Sequence, residues 1–131
     1  MNNQETGKLG ENLATKYLQE RGYKVIERNF WKPWGELDVV ALAPDKTLVF
    51  VEVKTLNNDL TEASSSDVIQ PEENLTKAKL KKLQRTARIY ANSHLELVND
   101  DRGWRIDLIA INMFTDKNGK ERFDIRHYEN I

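Results

Sequence analysis

A chain of 131 residues, 39% hydrophobic and 31% charged, reads as one domain (1–131) large enough to bury a core. No apolar run is long enough to span a bilayer and no signal-peptide pattern follows Met1, so a cytoplasmic protein without membrane association is expected. The absence of cysteine excludes disulfides and thiol nucleophiles, and 20 basic against 21 acidic residues argues against binding nucleic acid through overall charge, leaving charge distribution to decide.

The first predicted element is a helix over 5–21. Leu9, Leu13 and Tyr17, with Ala14 and Leu18, fall on one face, and Gly22 is a natural stop. Residues 24–30 read as a strand. Trp31, Lys32, Pro33, Trp34 and Gly35 form a tight aromatic connection, whose tryptophans are expected to pack the loop onto the core rather than to stack on bases. Residues 37–54 then read as a hairpin, because the turn signal Pro44-Asp45-Lys46 separates two β-rich runs. Residues 55–74 are polar and acidic, without Lys or Arg, and are expected to be a flexible surface loop.

A second helix is predicted from Thr76, its N-cap, to Asn92, with Leu80, Leu83, Ala87, Tyr90 and Ala91 as the buried stripe. Its other positions carry Lys77, Lys79, Lys81, Lys82, Arg85 and Arg88 and no acid. Such runs are usually solvated faces, but six cations would also suit phosphate contacts. Residues 104–114 and 122–128 read as strands around an Asn118-Gly119 turn. The expected fold is α/β, a mixed sheet with helices on both faces, in the order α-β-β-β-α-β-β. Its central strands should be 37–43 and 47–54, apolar on both sides.

The chemistry concentrates in the hairpin. If Pro44, Asp45 and Lys46 form the loop, Ala43 pairs with Thr47, Asp38 lies opposite Glu52 and Glu36 opposite Lys54. Glu52 and Lys54 also share a strand face. Two carboxylates so close repel each other without a cation. Hard oxygen ligands suit Mg²⁺ or Mn²⁺, and the adjacent ammonium completes the equipment of a phosphodiester-cleaving enzyme. A salt-bridged strand end, with Lys54 neutralising both acids, explains the same residues equally well.

Asp38, followed after 13 residues by Glu52-Val53-Lys54, resembles the PD-(D/E)xK nuclease pattern. The wider chain is similar to a small family of bacterial proteins regarded as endonucleases and related to archaeal Holliday junction resolvases. The likeness runs in order through Gly10-Glu11, Tyr17-Leu18, Gly22-Tyr23, Arg28-Asn29, Gly35-Glu36-Leu37-Asp38, Val49 to Lys54, Lys79 and Arg105-Ile106-Asp107. Leu37 stands where the pattern has proline, and the polar stretch after Lys54 is unusually long.

The resemblance implies a restriction-endonuclease-like fold and a metal-dependent endodeoxyribonuclease. Asp38, Glu52 and the Val53 backbone carbonyl would hold Mg²⁺ or Mn²⁺. Glu11, otherwise a solvated helix glutamate, would reach the same site, and Lys54 would complete the catalytic set. Lys79, Lys82, Lys77 and Arg85 would contact DNA, branched, flapped or single-stranded, during repair or recombination. Gly35, Glu36, Arg105 and Asp107 would support the site, although Arg105 and Asp107 also suit a cross-strand ion pair. A homodimer would suit paired nicks. The alternative is a noncatalytic nucleic-acid-binding or adaptor protein that keeps the fold. Neither His94 nor His127 looks like part of a catalytic pair.

Overall fold

A computed structural model describes residues 2–57 and 75–131. Helix α1 (Asn3–Glu20) leads into strands β1 (Lys24–Lys32), β2 (Gly35–Leu42) and β3 (Leu48–Asn57), then helix α2 (Lys77–Ser93), β4 (Trp104–Thr115) and β5 (Glu121–Tyr128). The strands form one sheet in the order β1-β2-β3-β4-β5, antiparallel except for the parallel pair β3–β4. A parallel pair needs a crossover, and α2 lies within it. The architecture is the expected mixed sheet with a helix on each face, consistent with a restriction-endonuclease-like fold.

Local chemistry sets the boundaries. The Asn2 side chain accepts the Glu5 N–H at 2.8 Å, so α1 begins two residues before the predicted start. It ends where Gly22, at φ +85°, sends its N–H to Gln19 while Tyr23 N–H returns to Leu18, a Schellman closure. Thr76 caps α2 by accepting the Lys79 N–H. The 44–46 loop closes as predicted: Ala43 N–H reaches the Thr47 carbonyl at 2.9 Å, Lys46 takes the left-handed conformation, and Asp45 accepts the Thr47 N–H.

The sheet separates two cores. On the α1 side, Ala14 and Leu18 pack with Val39, Ala41, Val49, Val51, Ile109 and Ile111. On the α2 side, Leu83, Ala87, Tyr90 and Ala91 pack with Leu37, Val40, Leu48, Phe50 and Ile106. Thr86 is buried in that stripe, and Leu80 only half-buried. β2 and β3 lie inside the sheet with both faces covered, and the edges fall to β1 and β5.

The structure corrects two expectations. Residues 55–57 are not loop: β3 continues through Thr55, Leu56 and Asn57, paired with Ile111, Asn112 and Met113. The rest of the predicted flexible loop lies outside the described residues. Trp31 and Trp34 do not pack onto the core but stand 66% and 42% exposed. From the same strand, Phe30 instead turns into the α2-side core, edge-on to Tyr90 at 5.1 Å. Among the described residues, no helix is long and apolar enough to cross a membrane.

Candidate active site

The site forms where β2 and β3 part. Their ladder runs from Leu42–Leu48 to Val39–Val51, the register anticipated from the loop. Beyond it, the Asp38 carboxylate takes the Val53 N–H at 2.8 Å in place of a strand carbonyl. Strict alternation would put Leu37 on the same side as Val39, yet Leu37 joins Val40 on the α2 side. The strand therefore turns at Asp38. Asp38 and Glu52 are brought within hydrogen-bonding reach of one another, and Lys54 Nζ lies 3.7 Å from Glu52 Oε1.

Two close backbone approaches frame this fork. A Cβ on Gly10 would collide with the Thr55 hydroxyl, and one on Gly35 with the Thr86 hydroxyl. Glycine at each position seats α1 on β3 and α2 on β2. The following residues, Glu11 and Glu36, are thereby delivered to the same cleft. That cleft, about 480 Å³, is lined by Glu11, Glu36, Asp38, Glu52, Val53, Lys54 and Thr55, together with Asn3, Thr6 and Gly7 of α1. Asn3 and Gly7 were not singled out from sequence, although the i, i+4, i+8 spacing of 3, 7 and 11 places them on one helical face.

A second hollow, about 230 Å³, shares Glu36, Glu52 and Lys54 and is walled by Lys79, Lys82, Leu83 and Thr86 of α2. Lys79 and Lys82 thus flank the acids. Lys77 and Arg85 are exposed on the same helix but line neither hollow.

The acids of the cleft are short of partners. Burial, and then the neighbouring Asp38 charge, push Glu52 up to about 8 despite Lys54. Burial also raises Asp38, against the Val53 N–H and the Glu52 hydrogen bond that pull it down. Glu11 is raised by burial and next by Asp38, and its Oε1 is buried without a hydrogen-bond partner among the described residues. Burial and mutual repulsion thus oppose the joint ionisation of Asp38 and Glu52.

Arg105 and Asp107 are not brought to this cleft. They pair with each other along β4 at 2.9 Å rather than across strands. Fully buried Asp107 also contacts His127 Nε2 at 2.7 Å and takes the Asn130 N–H at 3.0 Å. Arg105 donates to Tyr23, and His127 Nδ1 lies 3.3 Å from the Tyr17 hydroxyl. Burial would raise Asp107, but His127, Arg105 and the Asn130 N–H together hold it below the usual range. His127, set aside from the sequence for its place near the C-terminus, meets partners that lie 20 and 110 residues away.

The description of the uncharacterised protein family UPF0102 fits residues 10–111. The chain belongs to that family. Among its UPF0102 relatives, the protein of Fervidobacterium nodosum is 36% identical over 129 residues, covering 98% of this chain and 83% of the relative. That of Bacteroides thetaiotaomicron is 41% identical over 120 residues, covering 92% and 87%. That of Alkaliphilus oremlandii is 32% identical over 128 residues, covering 98% and 97%. The UPF0102 match begins at Gly10 and so takes in both glycine-acid pairs and every acid of the cleft.

Proposed function

We propose that this UPF0102 protein is a divalent-metal-dependent DNA endonuclease whose active site is the cleft at the β2–β3 fork. The observation that carries the reading is the gathering of acids in the cleft: Asp38 and Glu52 within hydrogen-bonding reach of each other, their ionisation opposed by burial, and an orphaned oxygen on Glu11. Buried carboxylates in this condition suit a hard cation. The oxygen donors fit Mg²⁺ or Mn²⁺, with Asp38, Glu52 and the Val53 carbonyl as ligands and Glu11 adding a further oxygen. Among the described residues, no group of three or more His, Asp or Glu side chains stands ready to hold a metal. A Mg²⁺ ion here would have to take much of its coordination from waters and substrate phosphate oxygens, as such sites commonly do.

When bound, the metal would polarise a phosphate oxygen and lower the pKa of a coordinated water. The protein supplies the rest. The Val53 N–H fixes the Asp38 carboxylate. Glu52 holds the Lys54 ammonium in the cleft, where it can stabilise charge developing at phosphorus. Lys79 and Lys82 offer cations to flanking phosphates, and Lys77 and Arg85 extend that surface. The likeness of the Asp38, Glu52 and Lys54 spacing to the PD-(D/E)xK pattern supports hydrolysis. The wider likeness to junction resolvases supports branched or flapped DNA, with a homodimer suited to paired nicks. The Glu52–Lys54 contact also favours a second reading, a noncatalytic DNA-binding or adaptor protein with mutually neutralised charges.

Thermal melts and a panel of labelled four-way junctions, flaps, single strands and duplexes, each with Mg²⁺ or Mn²⁺, separate the two. The nuclease reading expects Mn²⁺ to raise the wild-type melting temperature and at least one substrate to be cut. Asp38→Asn should lose both effects while staying folded, with cleavage reduced at least about a hundredfold. A wild-type melt that ignores Mn²⁺, with no cleavage, leaves the salt-bridged adaptor.

A further inference from the structure

The β1–β2 hairpin, which carries Glu36 of the cleft, displays two exposed indoles. Trp31 is 66% exposed and Trp34, in the turn, 42%. Trp104 is different: it is packed edge-on to Phe50 in the α2-side core. Directly opposed residues of an antiparallel pair share a face, and Trp31 is opposed to Glu36, which lines both hollows of the site. Trp31 is therefore the cross-strand neighbour of a residue that lines both hollows. Gly35, seated against Thr86, fixes the turn that carries Trp34. The surroundings are charged: Lys79 and Lys82 form the wall of the hollow that Glu36 shares. Isolated aromatics among cations suit a polyanion with exposed π-faces better than an apolar protein surface.

We propose that Trp31 and Trp34 form a stacking platform for unpaired bases of a DNA strand crossing the cleft, with its phosphates on Lys79 and Lys82. This rests on the nuclease reading for the ligand being DNA, and it deepens that reading to a substrate class. Intact duplex already stacks its own bases and gains nothing from the indoles. Flaps, forks, gaps and single strands gain directly, so the hairpin selects DNA with a single-stranded segment.

The test is a fluorescence titration of the full chain with oligothymidylate and with a blunt duplex, in EDTA so that cleavage plays no part. Oligothymidylate should quench the wild-type emission. Trp31→Ala and Trp34→Ala should each weaken single-strand binding by roughly 5- to 150-fold while barely changing duplex binding. Trp31→Phe should retain part of the affinity. Circular dichroism checks that each variant is folded. If the alanine variants bind oligothymidylate as wild type does while Lys79→Ala weakens it, the platform fails and the DNA reading survives. If the alanine variants instead change the sedimentation of the protein with DNA binding intact, the hairpin is a protein contact and the platform fails. If no DNA of any form binds, the nuclease reading and the platform fail together.

Discussion

Two ionised clusters sit almost side by side in one sheet and behave oppositely. Asp107 lies beside Val51 in the β3–β4 ladder, one residue before Glu52. Asp107 has a guanidinium, an imidazole and a backbone N–H around it, all at 2.7–3.0 Å, and its carboxyl is held below the usual range. Among the described residues, Asp38 and Glu52 have one backbone N–H and one lysine between them, and both are raised. Burial opposes ionisation in both places; the number of partners decides the sign. A buried acid with complete partners is a structural device. One whose ionisation burial opposes, in an open cleft, is a candidate functional group.

The comparison breaks most sharply in the stability of two matched substitutions. Asp107→Asn strips a completed network and leaves Arg105 short of its main partner. It should cost about 3–5 kcal/mol, a fall in Tm of about 10–20 °C for a chain of this size. Asp38→Asn removes one of two repelling groups and should leave metal-free stability unchanged or improved. Melts of both variants in EDTA decide this. Equal losses would mean that both clusters are structural, and the distinction between them would go.

Next in size is the pH dependence of the metal-free protein. Glu52 is pushed up to about 8 in the folded state from an ordinary value of 4.5. The folded state therefore binds more protons than the unfolded chain between those values. Stability should fall as pH rises through that window, with a slope of at most about 1.4 kcal/mol per pH unit, and level off above it. Asp107 has the opposite sign: its contribution is complete above the ordinary 3.8 and is lost only as pH falls through its lowered value. Urea unfolding across pH 4.5 to 8 measures the first effect. Asp38→Asn should flatten it by removing the charge that, after burial, does most to raise Glu52. A flat wild-type profile would show that the two clusters are alike.

Much of the fold was legible because it follows from local pattern. The turn at 44–46 fixed the Val39–Val51 register, and 3.6-residue periodicity located both helices. The hairpin register likewise brought Asp38 towards Glu52. What stayed hidden depends on contacts made through space. The turn of β2 at Asp38 shows only in Leu37 crossing to the α2 side. The collisions that make Gly10 and Gly35 necessary involve Thr55 and Thr86, 45 and 51 residues further along. His127 acquires its role only when β5 lies beside β4 and Tyr17 arrives from α1. Trp31 and Trp34 were expected to be covered because loop aromatics usually are, and no local pattern shows that Phe30 is the aromatic that turns to Tyr90.

The smallest effect distinguishes the basic residues as the first predictions distinguish the acids. Arg105 is committed to Asp107 and Tyr23, whereas Lys79 and Lys82 are exposed on the wall of the cleft. A cation bound within the protein contributes to stability; one facing a cleft contributes to what enters it. Lys79→Ala and Lys82→Ala together should change unfolding free energy by no more than about 0.5 kcal/mol each, as exposed substitutions do. They should weaken DNA binding across sequences, since phosphate contacts carry no base information. The plot of log affinity against log salt should also become shallower by roughly 1.4–1.8, two phosphate contacts at about 0.7–0.9 each. Titrations at several salt concentrations give that slope. An unchanged slope would make α2 a solvated face and leave the acids of the cleft without a phosphate-binding wall.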